Sequence, residues 1–278
     1  MSGLRDETEQ LLLLGETRPD RPMPGAFRIL TWNVQHAAEK RSRTQAAWLA
    51  QREDADVLVL TEVGHGPGGL ALAQALREHG YRVMEPVCAG DKYLTILACR
   101  LDEMVQVDVG MTVMPHRAPA ARIATGRQAV VVVGLYVPSR GGPGEQRNVA
   151  KRAVQDAFAA RLPKLIADSG DTPLVVAGDL NVLEPGHQPH HDVFGVWEYD
   201  FYRAFAAAGL VDAFRALHPE AVEHSWFGRA GNGYRFDHGF VSAEHADSIR
   251  TCTYLQEPRL AGLSDHAAML LTLDFAAV

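Results

Sequence analysis

Short apolar runs separated by polar loops recur along most of the chain, and this pattern is typical of β-strands. The runs at residues 57–60 and 173–177 are uninterrupted, as expected of strands buried inside a protein. Together the runs predict strands at residues 27–32, 57–60, 93–98, 104–109, 129–137, 173–177, 236–241 and 268–273.

Between these strands, apolar residues recur at helical spacing. They predict helices at residues 44–52, 70–76, 148–167 and 198–208, the second with an apolar stripe that includes Leu70 and with Gly80 as its C-cap. Pro163 is expected to kink or shorten the third helix, because proline lacks a backbone N–H. Strands alternate with helices early in the chain and are denser later, which favours an α/β fold with mixed sheets covered by helices.

The composition is that of an ordinary soluble globular protein, with 47% hydrophobic and 22% charged residues. No apolar run approaches the roughly 20 residues of a membrane span, so no membrane partner is expected. We expect a mobile N-terminal arm at residues 1–24 and one domain at residues 25–278, with a monomer as the default. Three cysteines without a Cys-x-x-Cys pair (Cys88, Cys99, Cys252) speak against a disulfide framework or a zinc site and favour a reducing, cytoplasmic location.

The net charge of −7 is unfavourable for tight non-specific binding to nucleic acid, where lysines and arginines replace the counterions of the phosphates. It does not exclude a nuclease, because a local basic patch can coexist with an acidic whole. A hard divalent cation also needs acidic ligands, so part of the negative charge is expected to belong to a metal site.

Polar residues follow or terminate several of the predicted strands. The most informative pair is Asp179 and Asn181, because residues two apart on an extended segment point the same way. Asp179 could take a proton from water while Asn181 holds that water or a substrate oxygen. The full set of polar clusters is Asn33, Glu62, Tyr136, Asp179 with Asn181, and Asp237 with Asp265 and His266.

Each of these residues also has a structural interpretation. Asn33 could cap a strand, Glu62 could be a solvated strand end, and Tyr136 could belong to the core. Asp265 could sit beside a helix N-cap, and His266 could be a hydrogen-bonded structural histidine. All of these polar residues lie at the ends of predicted strands, where loops often carry functional groups. Their combination therefore predicts a functional site.

In this order, the clusters resemble the endonuclease/exonuclease/phosphatase superfamily. The matching segments are TWNV at 31–34, LTEV at 60–63, LYVP at 135–138, GDLNV at 178–182, RFDH at 235–238 and LSDH at 263–266. The resemblance implies the deoxyribonuclease I-like fold, a four-layer α/β/β/α sandwich of two packed mixed β-sheets with helices outside.

The resemblance also implies roles for the polar residues. Glu62 is similar to the principal Mg²⁺ ligand of the family, with Asn33 and Asp265 close to the ion. Carboxylate and carboxamide oxygens suit Mg²⁺, or Mn²⁺ as a substitute, and the chain has no thiolate cluster that would favour zinc.

The catalytic roles are implied in the same way. Asp179 is similar to the residue that activates the attacking water, and Asn181 orients it. His266, held by Asp237, would contact a non-bridging phosphate oxygen, and Tyr136 would contact the same phosphate or the leaving oxygen. A histidine beside a carboxylate keeps its proton more readily, which helps it to bind an anionic phosphate.

The segment at 224–237 is similar to the exonuclease III and abasic-site endonuclease branch. There, Trp226, Phe227 and Tyr234 are expected to line the pocket that receives an extruded sugar, although they could equally be core or rim hydrophobes. Arg140, together with Arg147, Lys151 and Arg152, could form a local phosphate-binding edge or a solvated helix face.

Two features depart from the DNA-repair branch of this family. One is the acidic net charge, and the other is Glu62-Val63-Gly64 where that branch carries Glu-Thr-Lys, so a basic residue is missing beside the metal ligand. The Pro-Ala-Trp-Cys-Asp-Arg signature of phosphoinositide phosphatases is absent. His187, His190 and His191 are expected to lie on a solvated loop.

The leading hypothesis is a divalent-metal-dependent phosphodiester hydrolase, a DNA endonuclease or exonuclease of exonuclease III-like type. The alternative is a phosphatase or phosphodiesterase that acts on a small phosphorylated metabolite with the same scaffold. A third possibility is a catalytically silent binding module, which the intact set of polar residues disfavours.

Overall fold

The computed structural model describes residues 25–52, 54–87, 90–126, 128–142 and 144–275. The arm expected at residues 1–24 lies outside the described residues. The strands are β1 (Phe27–Asn33), β2 (Val57–Gly64), β3 (Arg82–Met84), β4 (Tyr93–Cys99), β5 (Met104–Val107), β6 (Ala120–Ala124), β7 (Ala129–Gly134), β8 (Leu174–Asp179), β9 (Leu210–Asp212), β10 (Trp226–Phe227), β11 (Gly233–Tyr234), β12 (Asp237–Ser242), β13 (Ile249–Leu255) and β14 (Ala268–Leu273).

The α-helices are α1 (Glu39–Ala50), α2 (Pro67–Glu78), α3 (Gln146–Ser169), α4 (Val196–Ala207), α5 (Ala213–Leu217) and α6 (Glu257–Leu260). Two 3₁₀ helices, Pro115–Arg117 and Ala243–Ser248, complete the described elements. No described helix has the length and apolar character needed to cross a membrane.

Most of the strands form two six-stranded mixed sheets. The first has the order β13-β14-β1-β2-β4-β3, with β1 and β2 parallel, and the second has the order β5-β6-β7-β8-β12-β9, with β7 and β8 parallel. The other neighbours in both sheets are antiparallel. Strands β10 and β11 form a separate two-stranded ribbon.

Alternation of side chains along the strands produces the four layers. Val57 and Val59 point into the core between the sheets, whereas Leu58 and Leu60 pack on the other face with residues of α1 and α2. Helices α3 and α4 cover the second sheet in the same way. The two sheets pack closely at Gly134, because a Cβ atom there would come within about 3 Å of the side chains of Thr95, Val59 and Leu97. The predicted four-layer sandwich is confirmed.

Several details of the predicted elements are wrong. Pro163 lies inside an uninterrupted α3, whose Phe158, Leu162 and Leu165 are buried against the second sheet on both sides of the proline. Leu70 is 65% exposed, so it does not belong to the apolar stripe of α2. Strands β3, β6, β9 and β13 were not predicted, because they are short or mix polar with small residues.

Candidate active site

The predicted site residues meet at one end of the sandwich and come from both sheets. Strand β1 ends at Asn33 and β8 ends at Asp179, and the antiparallel register of β8 and β12 places Asp237 directly opposite Asp179. Strand β14 is antiparallel to β1, so the residues just before it, including His266, lie near the end of β1. Sequence positions more than 200 residues apart therefore share one cleft.

Asp179 is buried and held by hydrogen-bond donors on both carboxylate oxygens. Its Oδ2 accepts from Asn33 Nδ2 at 2.8 Å and from Asn181 Nδ2 at 3.0 Å, and its Oδ1 accepts from Asn181 N–H at 2.9 Å. Burial and the negative charge of Asp237 raise the pKa of Asp179 to about 7. The three hydrogen bonds therefore fix the orientation of the carboxylate. Because its pKa is about 7, it can take up a proton near neutral pH.

The backbone on both sides of Asp179 fixes its position. Gly178 has φ 151°, and a Cβ atom there would lie 2.0 Å from the carbonyl oxygen of Leu135, so only glycine fits. Asn181 has φ 49° and also donates from Nδ2 to the carbonyl oxygen of Val137. Left-handed residues other than glycine are strained, and such strain is common at functional sites.

His266 and Asp237 form a buried pair beside Asp179. The Nδ1–H of His266 donates to Asp237 Oδ2 at 2.7 Å. Burial alone would lower the pKa of His266, but the charge of Asp237 and the hydrogen bond to it raise that pKa to about 10. His266 is therefore an imidazolium at neutral pH, and its charge favours an anion in the cleft.

Glu62 lies at a break in the regular pairing of β2 with β4, between Leu60 and Val63, and has φ 53°. The break turns its side chain toward the cleft, as β-bulges next to active sites often do. Its Oε2 accepts from Asn33 Nδ2 at 3.0 Å and from the Tyr136 hydroxyl at 3.3 Å. Its Oε1 lies 2.6 Å from His36 Nδ1.

Tyr136 is buried, and the guanidinium of Arg117 lies 4.7 Å from the centre of its ring. Burial, followed by the charges of Glu62 and Asp179, holds the pKa of Tyr136 well above its usual value. Its hydroxyl therefore remains a neutral donor aimed at the cleft. Sequence reasoning missed Arg117, which is also bound by Asp91 through two hydrogen bonds.

The donor set fits a hard ion that keeps part of its water. Glu62 and Asn33 are in contact, and Asp265 Oδ2 accepts from Trp226 Nε1 at 3.0 Å at the same end of the sandwich. Within the described residues, no three His, Cys, Asp or Glu side chains converge closely enough to enclose an ion by themselves. Mg²⁺ is commonly held by one or two carboxylates together with waters and substrate phosphates, which matches this arrangement.

The three predicted aromatic residues do not share one surface. Trp226 and Tyr234 are cross-strand partners whose rings lie 5.3 Å apart, and Trp226 also contacts Asp265. Phe227 follows Trp226 on β10 and points to the opposite face, where the guanidinium of Arg259 lies 4.4 Å from the centre of its ring. Only Trp226 and Tyr234 share a face of the ribbon.

The expected basic edge is largely neutralised by ion pairs. Arg140 Nη1 donates to Glu198 Oε2 at 2.6 Å, and Arg147 pairs with Glu145. Lys151 does not lie on a solvated face or on a phosphate-binding edge, because its side chain is fully buried. The helical spacing around Lys151 could not predict this burial, because its acidic partner Glu198 is distant in the sequence.

Lys151 instead connects the loop after β8 to Glu198. Its Nζ donates to the carbonyl oxygen of Asn181 at 2.6 Å and to Glu198 Oε1, while Arg140 occupies the other oxygen of that carboxylate. Burial lowers the pKa of Lys151 from its ordinary value, and the charge of Glu198 opposes that shift. The hydrogen bond from the ammonium group to the Asn181 carbonyl oxygen thereby stabilises the left-handed turn at Asn181.

Replacing Lys151 by Met should lower the free energy of unfolding by about 3 kcal/mol, because Glu198 would remain buried and charged without a donor to its Oε1. We also expect kcat to fall, since the Asn181 carbonyl loses its donor. Adding Glu198→Gln should recover much of the stability in a thermal melt without restoring kcat. Full activity of the double variant would show that the network only supports the fold.

The histidine-rich loop is more ordered than the sequence suggested. His187 is buried and its Nε2 accepts from the backbone N–H of Arg235 at 3.1 Å, so the expectation of a solvated loop is wrong there. Burial lowers the pKa of His187 to about 4. His191 stacks on Tyr234 at 4.1 Å, and His190 is exposed. His191 therefore packs directly against the aromatic ribbon, and His187 supports the residue that follows the ribbon.

A model of the endonuclease/exonuclease/phosphatase family matches residues 30–212, and the chain belongs to that family. Within it, the chain is 24% identical over 262 residues to the exodeoxyribonuclease of Bacillus subtilis (strain 168), an alignment that covers 89% of this chain and all of the relative.

Solved structures share the fold. The 3′-5′ exonuclease NExo from Neisseria meningitidis superimposes with a TM-score of 0.77 at 24% identity, covering 90% of this chain and 100% of that one. An AP endonuclease from Archaeoglobus fulgidus gives a TM-score of 0.73 at 23% identity, covering 89% and 99%. The resemblance identified from the sequence motifs is confirmed at the level of family and fold.

Proposed function

We propose that this protein hydrolyses phosphoester bonds of DNA with the help of a divalent ion, as an endonuclease or exonuclease. The observation that carries the proposal is the adjacency of two unlike groups, the ionisable Asp179 carboxylate and the His266 imidazolium, which is paired with Asp237. Support for DNA comes from relatives described as an exodeoxyribonuclease, a 3′-5′ exonuclease and an AP endonuclease.

In the proposed reaction, Asp179 accepts a proton from the attacking water. Its pKa near 7 makes it an effective acceptor close to neutral pH, and Asn33 and Asn181 prevent its carboxylate from rotating. His266 donates from its imidazolium to a non-bridging phosphate oxygen, which stabilises the charge that develops on the phosphorus centre. The neutral Tyr136 hydroxyl supplies a second donor.

In this proposal the ion is held by Glu62, Asn33 and Asp265. When bound, Mg²⁺ or Mn²⁺ would neutralise negative charge on the phosphate and on the leaving oxygen. Glu62 is the centre of this set, because Asn33, Tyr136 and His36 all contact its carboxylate.

Replacing Glu62 by Gln should raise the Mg²⁺ concentration needed for half-maximal activity by about 10- to 100-fold, since one ligand charge is lost. The ion affinity should also be measured directly by calorimetry on the same samples. Glu103→Gln, on the exposed turn before β5, is the matched control and should titrate like the wild type. An unchanged Mg²⁺ titration for the Glu62 variant would remove Glu62 from the ion site.

A small phosphorylated metabolite is the second candidate substrate. It is favoured by the net charge of −7 and by the ion pairs that neutralise Arg140 and Arg147. A long DNA duplex needs a positively charged surface along its backbone, whereas a single phosphate group needs only the cleft.

A substrate panel separates these functions. The protein with Mg²⁺ is incubated with a duplex carrying one abasic site, a duplex with a recessed 3′ end, a duplex with a 3′-phosphate, and a set of small phosphate esters. Cleavage of DNA that is abolished by EDTA and by Asp179→Asn is the expected result. Turnover of the small esters alone would contradict the DNA proposal, and DNA binding without any turnover would indicate a silent module.

A further inference from the structure

His36 stands beside Glu62 because the chain turns sharply after β1. Gln35 and His36 have φ values of 52° and 34°, so two successive residues other than glycine adopt the left-handed conformation. The turn is held by hydrogen bonds from His36 N–H to the Glu62 carbonyl oxygen at 2.8 Å and from Gln35 N–H to Asn33 Oδ1 at 2.9 Å. A conformation this unfavourable, held from several sides, indicates a constrained position for the side chain.

A further residue fixes the turn from outside. Arg41 donates from Nη1 to Gln35 Oε1 at 2.9 Å and from Nη2 to the Gln35 carbonyl oxygen at 2.7 Å. The His36 ring itself packs against Tyr93, with 5.1 Å between the ring centres. Backbone and ring are thus both positioned before any ligand binds.

The imidazole contacts the open side of the Glu62 carboxylate. Asn33 and Tyr136 contact Oε2, whereas His36 Nδ1 lies 2.6 Å from Oε1. The side chain of His36 is 51% exposed and that of Glu62 is 18% exposed, so solvent and an ion can reach this edge. The 2.6 Å between Nδ1 and Oε1 is a hydrogen-bond distance, and an octahedral ion that bound both atoms would hold them about 3 Å apart, so only a small movement of the ring would be needed.

Gly64 leaves the space beside the ring open. A Cβ atom at Gly64 would come 3.6 Å from His36 Cβ, so any longer side chain there would compete with the imidazole for the same volume. This is the position at which the DNA-repair branch carries the lysine of its Glu-Thr-Lys motif, from which this chain departs. The fixed positive charge of a lysine is absent, and a nitrogen donor stands next to the carboxylate instead.

We propose that His36 is a further ligand of the divalent ion at Glu62 and that it makes the site prefer a transition ion such as Mn²⁺ over Mg²⁺. This inference rests on the proposed ion dependence. Imidazole nitrogen is a good ligand for first-row transition ions, whereas Mg²⁺ strongly favours oxygen. Coordination requires Nδ1 to present its lone pair, so a bound ion would replace the hydrogen bond between Nδ1 and Glu62 Oε1 and would leave the ring proton on Nε2.

Electron spin echo spectroscopy on the full chain with Mn²⁺ tests the ligand directly, because coordinated imidazole couples its ¹⁴N nuclei to the manganese spin. The wild type should show this coupling, and His36→Asn should lose it while keeping the left-handed turn that asparagine tolerates. The Mn²⁺ dissociation constant should rise about tenfold in that variant. The Mg²⁺ constant, obtained by competition against Mn²⁺, should change less than about twofold.

His65→Ala is the matched control, since His65 is exposed and follows the same strand β2. It should retain the ¹⁴N coupling and both dissociation constants. Bound Mn²⁺ without nitrogen coupling in the wild type, or equal weakening of both ions in His36→Asn, would overturn the ligand role of His36. Failure of the wild type to bind any divalent ion would instead overturn the ion dependence of the proposed function.

Discussion

Replacing Asp179 by Asn is expected to reduce turnover by about 10²- to 10⁴-fold, while the protein remains folded. The amide keeps the shape of the side chain but cannot accept the proton of the attacking water. One of the hydrogen bonds from Asn33 and Asn181 is lost, since the amide nitrogen is itself a donor. Removal of the repulsion from Asp237 offsets that loss.

The stability of Asp179→Asn relative to the wild type should increase as pH rises. The pKa of Asp179 in the folded protein is raised above its ordinary value of 3.8 to about 7, so the contribution of this group to stability is present at low pH and is lost as pH rises through 7. Without divalent ions, the melting temperature of Asp179→Asn relative to the wild type should therefore be more favourable at pH 8 than at pH 5.

Activity assays and thermal melts at both pH values are the measurements. Asp171→Asn, on the exposed turn before β8, is the control and should match the wild type in both. Near-normal activity of the Asp179 variant would exclude Asp179 as the proton acceptor. A relative stability that worsens with rising pH would contradict the proposed repulsion between Asp179 and Asp237.

Replacing His266 by Ala is expected to reduce kcat by about 10³-fold, because the cleft loses its cationic donor to the phosphate. Asp237→Asn keeps the imidazole but removes the charge that holds the pKa of His266 at about 10. In this variant the imidazolium should be lost at a lower pH. Its activity should be partly retained at pH 6 and should fall off well before pH 9, whereas the wild type stays active until the pKa near 10 is approached.

The sign of the stability effect follows from the same shift. The pKa of His266 is raised above its ordinary value of 6.5, so the stability that it contributes is fully present below pH 6.5 and is lost as pH rises toward 10. Complete pH–rate profiles of the wild type and Asp237→Asn provide the test. Two profiles with the same alkaline limit would mean that Asp237 does not act through the charge of His266.

The sequence predicted the location of the site because its polar residues terminate strands whose apolar runs are easy to recognise. Asn33 and Asp179 end β1 and β8, Asp237 begins β12, and parallel or antiparallel pairing brings these strand ends together. The same runs predicted an α/β fold with mixed sheets covered by helices, and the four layers were implied by the resemblance to the family. Apolar runs, strand ends and short motifs are local patterns, so they can be recognised in a single sequence.

Other features depend on contacts between distant parts of the chain. Lys151 pairs with Glu198, 47 residues away, so its burial has no local signature. His36 reaches Glu62 only because two residues adopt left-handed backbone conformations. Trp226 and Phe227 are neighbours in sequence, yet successive residues of a strand point to opposite faces. The prediction of one shared pocket therefore failed for Phe227.

The closeness of the two sheets at Gly134 has a consequence for catalysis. The contacts that join the catalytic residues run from one sheet to the other: Asn33 to Asp179, His266 to Asp237, and Tyr136 to Glu62. A methyl group at Gly134 would wedge the layers apart and stretch all three contacts together. If the proposed function is correct, substitutions that separate the two sheets are therefore expected to reduce turnover even when they lie outside the site.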